Sequence, residues 1–440
     1  MGTIPTDEPG STTTGQRRRR EVRPPRTRLG RRAVADPASG PDNGGPRRGR
    51  RPRIREPRHF GEPQSKWSRR LSPVLIALVM VAGAVLGVKL SRDTGPSEEK
   101  LAGPPTEAIV VNGHRYLWGK ITPPEHGRLY WGAFRLGAPY RTKLVSGLEQ
   151  EVGIRPAVMM WYQEWAGQPD FPVAPVDWLF KRGIVPMITW EPWKPPKVFG
   201  TVVNDQPKFS LQRIADGAWD GYISRYARQI ARYGGPVILR PMHEMDGSWY
   251  PWSGTAQRAA GNSPTEFKKA WRHIWRVFRD AGATNVTWMW SVNHVSLPAT
   301  PENQIRNYWP GKKFVDWIGF SGFNWGTSSP FGVWKGFDAV ERARYDDLAT
   351  YGRPIAITEM GAPEQGGDKA KWIHDSFRDI RRHYPKLQML VWYDKQDTAV
   401  REWQIDSSPE SLAAFREEIG NPRVLDADAA LGTAKPHVPR

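Results

Sequence analysis

Residues 237–252 read VILRPMHEMDGSWYPW. The first part, Val237–His243, is a short and nearly continuous apolar run, as expected of a parallel strand buried on both faces. Beyond it the chain turns to acidic, Gly and aromatic residues, the composition of a loop rather than a core. The same alternation recurs at Leu129–Phe134, Pro156–Tyr162, Ile184–Trp190, Val286–Val292, Trp317–Phe323, Ile355–Glu359 and Leu387–Tyr393. Helical spacing between and after the runs is clearest at Ala215–Tyr233, Thr265–Ala281, Ala339–Tyr351, Lys369–Tyr384 and Pro409–Ile419. Eight such units in about 300 residues predict an α/β chain folded as a closed (β/α)8 TIM barrel, residues 126–422. No internal repeat points to a solenoid instead.

Outside the barrel the sequence changes character. The chain has 440 residues and a formal charge of +19, but residues 1–70 alone hold nineteen Lys and Arg against seven Asp and Glu. This stretch is rich in Arg, Pro, Gly and Ser without apolar periodicity, and is expected to be disordered. Leu71–Val88 is then free of charge, extends to Leu90 if Lys89 snorkels, and is just long enough to span a bilayer. The expected order is a basic cytoplasmic tail at 1–70, one transmembrane helix at 71–90, a linker at 91–125, the barrel outside the cell and a flexible tail at 423–440. A basic arm can bind nucleic acid, but one directly before an apolar span is more simply a topology signal, so no nucleic-acid partner is expected. A cleaved signal is the competing reading, through the small residues Ala82-Gly83-Ala84 or the pair Arg69-Arg70.

Barrel enzymes build their sites at the C-terminal ends of the strands. The fourth run ends at Glu244 and the seventh at Glu359, three positions apart in a ring of eight, so the two carboxylates can face each other across the mouth. One strand-end Glu is more often a salt bridge. Two beside aromatic-rich loops match the acid and the anion that glycosidic cleavage requires. His243-Glu244 has no second His four residues on, and the chain has no Cys, so neither metal nor cofactor is expected. The chain carries 22 Trp. Trp190, Trp193, Trp249, Trp325 and Trp392 fall at or just past strand ends and are candidate platforms for sugar rings, with core packing the alternative for each.

These blocks resemble glycoside hydrolase family 26, within the clan of retaining barrel enzymes, over roughly residues 128 to 420. Arg240–Trp252 is similar to the family's acid/base segment, with Glu244 as acid/base, His243 before it and Trp249 after it. Ile357–Ala362 resembles the nucleophile strand, placing Glu359 as nucleophile, and Val391–Asp394 resembles the strand whose Trp lines the cleavage subsite. The resemblance implies an endo-acting, retaining hydrolase of a β-linked polysaccharide, β-1,4-mannan first, with β-glucan or β-1,3-xylan as alternatives. The apolar span adds the expectation that it is held at the membrane, and a monomer is expected. Two features depart from the family pattern. Strict alternation sets His243 on the side opposite Arg240, Met242 and Glu244, so it reaches the site only if the strand has already turned into its loop. The family usually has Tyr where Phe323 stands, so Tyr393 or another donor must substitute, or activity falls. The other reading is a membrane-tethered polysaccharide-binding or assembly protein with weak or no hydrolysis.

Overall fold

The computed structural model describes residues 109–432, apart from 112–113, 117–118, 196–205, 256–260, 330–331 and 399–400. The expected basic tail at 1–70, the apolar span at 71–90 and much of the linker lie outside these residues. Among the described residues no helix is long and apolar enough to cross a membrane.

The eight apolar runs are eight strands: β1 (Leu129–Arg135), β2 (Val158–Glu164), β3 (Val185–Glu191), β4 (Val237–Pro241), β5 (Val286–Asn293), β6 (Trp317–Phe323), β7 (Ile355–Gly361) and β8 (Leu387–Asp394). Each pairs in parallel with its neighbour in sequence, and β8 pairs in parallel with β1 from Met389↔Tyr130 to Asp394↔Arg135, which closes the barrel. Every strand residue except Arg135 is buried, as a parallel sheet covered on both faces demands.

The outer layer comprises α1 (Thr142–Val152), α2 (Val173–Phe180), α3 (Asp220–Tyr233), α4 (Pro264–Asp280), α5 (Phe337–Leu348), α6 (Lys369–His383) and α7 (Pro409–Ile419). The start of α4 is written in the sequence: Ser263 accepts from the Glu266 amide, Pro264 opens the first turn, and Glu266 supplies the acidic first-turn residue. The helix read as Ala215–Tyr233 is in fact two, because Gly217 takes φ +85 and separates a short turn at Leu211–Ala215 from α3. Between β5 and β6, short 3-10 turns at Pro301–Asn303, Ile305–Asn307 and Lys312–Phe314 stand where a helix would. At the C-terminus, Val424–Leu425 pairs with Leu129 and Tyr130, and Ala427 and Ala430 are buried in the helix Ala427–Gly432. The packed chain thus runs at least to Ala430, past the boundary read at 422.

Candidate active site

β4 ends at Pro241, two residues earlier than its apolar pattern suggests, because Met242 and Glu244 both take left-handed backbone angles, φ 49 and 51. Each such residue costs roughly 1–3 kcal/mol, a strain that persists only where the surroundings impose it. Here the Met242 amide donates to the Trp190 carbonyl at 3.2 Å and the Glu244 amide to the Ser291 carbonyl at 2.9 Å, tying the turn to the flanking strands. Alternation is broken at that point. His243 consequently reaches the mouth, its ring 4.6 Å from that of Tyr250 and 5.9 Å from that of Tyr162.

The loop that carries Glu244 is braced from below. Buried Asp246 accepts from the Asn293 amide at 2.8 Å, from Ser296 Oγ at 2.9 Å and from Arg344 Nη2 at 3.2 Å. A side chain at Gly247 would stand 2.5 Å from the Trp249 ring, so glycine there lets Trp249 fold back over the loop. Trp249 Nε1 then donates to Glu244 Oε2 at 2.9 Å.

Glu359 is held from β4. Arg240 Nη1 donates to Glu359 Oε1 at 2.7 Å and to Thr189 Oγ1 at 3.1 Å, and Nη2 donates to Ser321 Oγ at 3.1 Å. All of these groups are buried. Each glutamate is therefore fixed by one oxygen, while Glu244 Oε1 and Glu359 Oε2 have no hydrogen-bond partner. That leaves one oxygen on each carboxyl for chemistry.

Burial and then the charge of Glu359 push the Glu244 carboxyl up to about 8, against the opposing pull of Arg240, Ser321 and Trp249. A carboxyl so placed is protonated at neutral pH and can donate a proton. A rate that needs protonated Glu244 is full below that value and falls as pH rises through it. We predict that kcat/KM on a β-glycan drops about tenfold per pH unit above about 8 and that this limb is absent in Glu244→Gln. A limb unchanged in the variant would assign it to another group.

The aromatic candidates divide by strand parity. Trp193 and Trp249 lie at the mouth, donating to Glu191 and Glu244 respectively. Phe323 meets Trp403 at 5.0 Å, Tyr393 at 5.5 Å and Trp325 at 5.9 Å, forming one aromatic wall. Trp190 and Trp392 are not on it. The Trp190 ring stacks on Tyr226 of α3 at 4.8 Å and its Nε1 bonds Tyr222, while Trp392 packs on Phe415 of α7 and Trp372 of α6. Both point to the helix layer, because their neighbours Glu191 and Tyr393 take the inward positions. Phe323 lacks a hydroxyl, yet two buried phenols, Tyr162 and Tyr393, feel the Glu359 charge and are held neutral, chiefly by burial.

Arg240, Glu191, Tyr162, Tyr250 and Trp403 belong to this site although none was singled out from sequence. Arg240 shares Glu244's parity on the fourth run, a signal that was readable. Trp403 was not, since it arrives from the far side of a short hairpin after β8, Gln396–Thr398 with Arg401–Glu402. Among the described residues no group of His, Asp and Glu could hold a metal ion.

The pattern of glycosyl hydrolase family 26 matches residues 197–394, a span that includes both glutamates and ends with β8. Endoglucanase H of Acetivibrio thermocellus is 38% identical over 246 residues, 56% of this chain and 25% of that protein. A mannan endo-1,4-beta-mannosidase of Bacillus subtilis is 26% identical over 226 residues, 50% of this chain and 54% of that one. The chain thus spans between a quarter and about half the length of these relatives. Among solved structures, the catalytic domain of a family 26 endo-beta-1,4-mannanase from Bacillus sp. JAMB-750 aligns with a TM-score of 0.53 at 16% identity, over 70% of this chain and 89% of that one. A modular endo-beta-1,4-mannanase from Cellulomonas fimi aligns with a TM-score of 0.52 at 18% identity, over 71% and 75%. These two likenesses concern the barrel fold. The pattern of glycosyl hydrolase family 26 thus runs from the loop after β3 to the last residue of β8, and this part of the chain is similar to that family.

Proposed function

We propose that this chain is a retaining endo-acting glycoside hydrolase of a β-linked polysaccharide, with Glu359 as nucleophile and Glu244 as acid and then base. One observation carries the reading: two buried glutamates from β4 and β7, each held by one oxygen and free at the other. Glu359 attacks the anomeric carbon to give a glycosyl-enzyme, while Glu244 protonates the departing oxygen. Esterification removes the Glu359 charge, and that charge is one of the two causes that hold the Glu244 carboxyl up. Glu244 then becomes a better base for the incoming water at the moment it is needed.

β-1,4-Mannan is the first substrate to consider, since several relatives are named as mannan endo-1,4-beta-mannosidases. A β-glucan is the second, favoured by the 38% identity to an endoglucanase. A β-1,3-xylan is represented by a β-1,3-xylanase of a Vibrio species, 30% identical over 130 residues, 28% of this chain and 26% of that protein. The test is a reducing-sugar assay of the purified full chain against these three polymers. Cleavage of one of them with a rapid fall in viscosity supports endo-hydrolysis. Tight binding with no cleavage of any would replace the hydrolase with a polysaccharide-holding protein.

We also propose that the barrel lies outside the cell, anchored by residues 71–90 with residues 1–70 in the cytoplasm, a reading supported by the Arg-rich stretch directly before the apolar span. Protease added to intact cells is then expected to digest the barrel and spare a tag at residue 1. Loss of the tag with survival of the barrel would reverse the orientation, and recovery of the whole chain in the soluble fraction would remove the anchor.

A further inference from the structure

We propose that the floor of the barrel, the end opposite the mouth, rests on anionic lipid headgroups through a patch built from the end of α4 and the turn before β6. The proposal rests on the membrane-anchored reading of residues 71–90 and does not depend on which polymer is cut.

The chain arrives at the barrel across this floor. Lys120 Nζ donates to Asp316 Oδ2 at 2.7 Å just before β6, and the Ile121 amide donates to Thr287 Oγ1 at 3.0 Å near the start of β5. Gln388, near the start of β8, donates to the Pro124 carbonyl. All three contacts lie at the N-terminal ends of strands. Residues 91–108 separate the apolar span from the first described strand, Ile109–Val111, and no chain of that length reaches further than about 65 Å. An anchor at 71–90 would hold the barrel within that distance of the bilayer, and the floor is the side on which residues 120–124 arrive.

Beside Asp316, the turn Lys312–Phe314 packs on the end of α4. Trp271 Nε1 donates to the Phe314 carbonyl at 3.1 Å, and the Trp275 and Phe314 rings meet edge to face at 5.1 Å. Both of these rings are only half buried, and the same two segments carry four exposed cations, Arg276, Arg279, Lys312 and Lys313. Arg279 lies over the Trp275 ring at 5.5 Å and Lys313 at 5.8 Å. Against these charges stands Asp280, the last residue of α4, while Asp316 is already paired with Lys120. Cations alone would suit any polyanion. Half-exposed aromatic rings set among them favour a headgroup layer, where a ring can enter the interface while its cationic neighbours meet the phosphates. The hold would grow with each cation near the surface and weaken in salt. A floor seated in this way turns the mouth, at the opposite ends of the strands, outward to the polymer.

The experiment reconstitutes the full chain into vesicles of phosphatidylcholine, alone or mixed with phosphatidylglycerol. Outward-facing barrels are labelled with a membrane-impermeant amine reagent and read lysine by lysine by mass spectrometry. Lys312 and Lys313 are expected to label roughly tenfold more slowly on the anionic vesicles. Lys371, exposed at the mouth end of α6, should label equally on both. Salt at about 1 M should remove the protection. Arg276→Glu/Arg279→Glu keeps both reporter lysines and should raise their labelling on anionic vesicles to the neutral level, with Tm little changed because both arginines are exposed. If that variant does not fold, Arg276→Gln/Arg279→Gln serves for the same comparison. Equal labelling on the two kinds of vesicle, in a chain that resists carbonate extraction, would overturn the patch and leave the anchor standing. Release of the chain by carbonate would overturn the anchor, and the proposal with it. Protection that persists in the variant would assign it to something other than these charges. Protection by soluble polyphosphate on neutral vesicles, with none from anionic lipid, would give the patch to a polyanion instead.

Discussion

Glu359→Ala is expected to lower kcat on the cleaved β-glycan by about 10⁵-fold or more, since a double displacement cannot start without its nucleophile. Glu244→Ala should lose less, on the order of 10²–10⁴-fold on the polymer, and less still with an aryl glycoside whose leaving group needs little protonation. The two variants should also differ in kind. In Glu244→Ala the glycosyl-enzyme forms on an activated substrate and then waits for a base, so a burst is followed by slow turnover that azide accelerates. Glu359→Ala should show neither burst nor adduct. Either neutral residue leaves the buried Arg240 guanidinium without its anion, but Glu359→Gln keeps a carbonyl oxygen that can accept from Arg240 and so serves as the folding control. A burst in the Glu359 variant would exchange the two roles.

Arg240→Met is expected to be the most destabilising single change at the site. Arg240 and Glu359 form a fully buried ion pair at 2.7 Å, and removing the cation leaves a charged carboxylate in the barrel interior. Breaking such a pair from one side costs about 3–5 kcal/mol. For a domain of this size that is a fall in Tm on the order of 5–15 °C. It should also misplace the Glu359 oxygen that Arg240 now fixes, so kcat falls with stability. The double variant Arg240→Met/Glu359→Gln removes both charges and should recover most of the lost Tm while remaining inactive. A single variant as stable as wild type, or a double variant no better than the single, would mean that the pair is not the element that holds this side of the site.

How much of this was legible in the sequence is seen residue by residue. All eight strands were readable, since a parallel strand buried on both faces writes a short apolar run whatever its partners are. The placement of Glu244 and Glu359 followed from the rule that chemistry gathers at the strand ends. Parity along each strand decides which of the strand-end aromatics face the mouth. Thr189 and Glu191 facing inward oblige Trp190 to face the helices, and Tyr393 does the same to Trp392, so position at a strand end was not enough to make either a sugar platform. His243 shows the opposite case: alternation alone would have excluded it, and only the left-handed turn at Met242 and Glu244 brings it to the mouth. Such a turn at non-glycine residues is imposed by the bonds to the Trp190 and Ser291 carbonyls, which are long-range and leave no local trace in the sequence. Trp403 and the wall that it forms with Phe323 are invisible for the same reason.

The most direct test of the proposed chemistry is to identify the residue that becomes covalently bound during turnover. An activated 2-deoxy-2-fluoro β-glycoside forms its glycosyl-enzyme faster than water can release it, and mass spectrometry of the digested chain locates the added mass. The expected result is a single adduct on the peptide that contains Glu359, absent in Glu359→Ala and long-lived in Glu244→Ala. Inactivation with the label on any other carboxylate, or hydrolysis of a natural substrate with inverted anomeric configuration and no adduct at all, would contradict it.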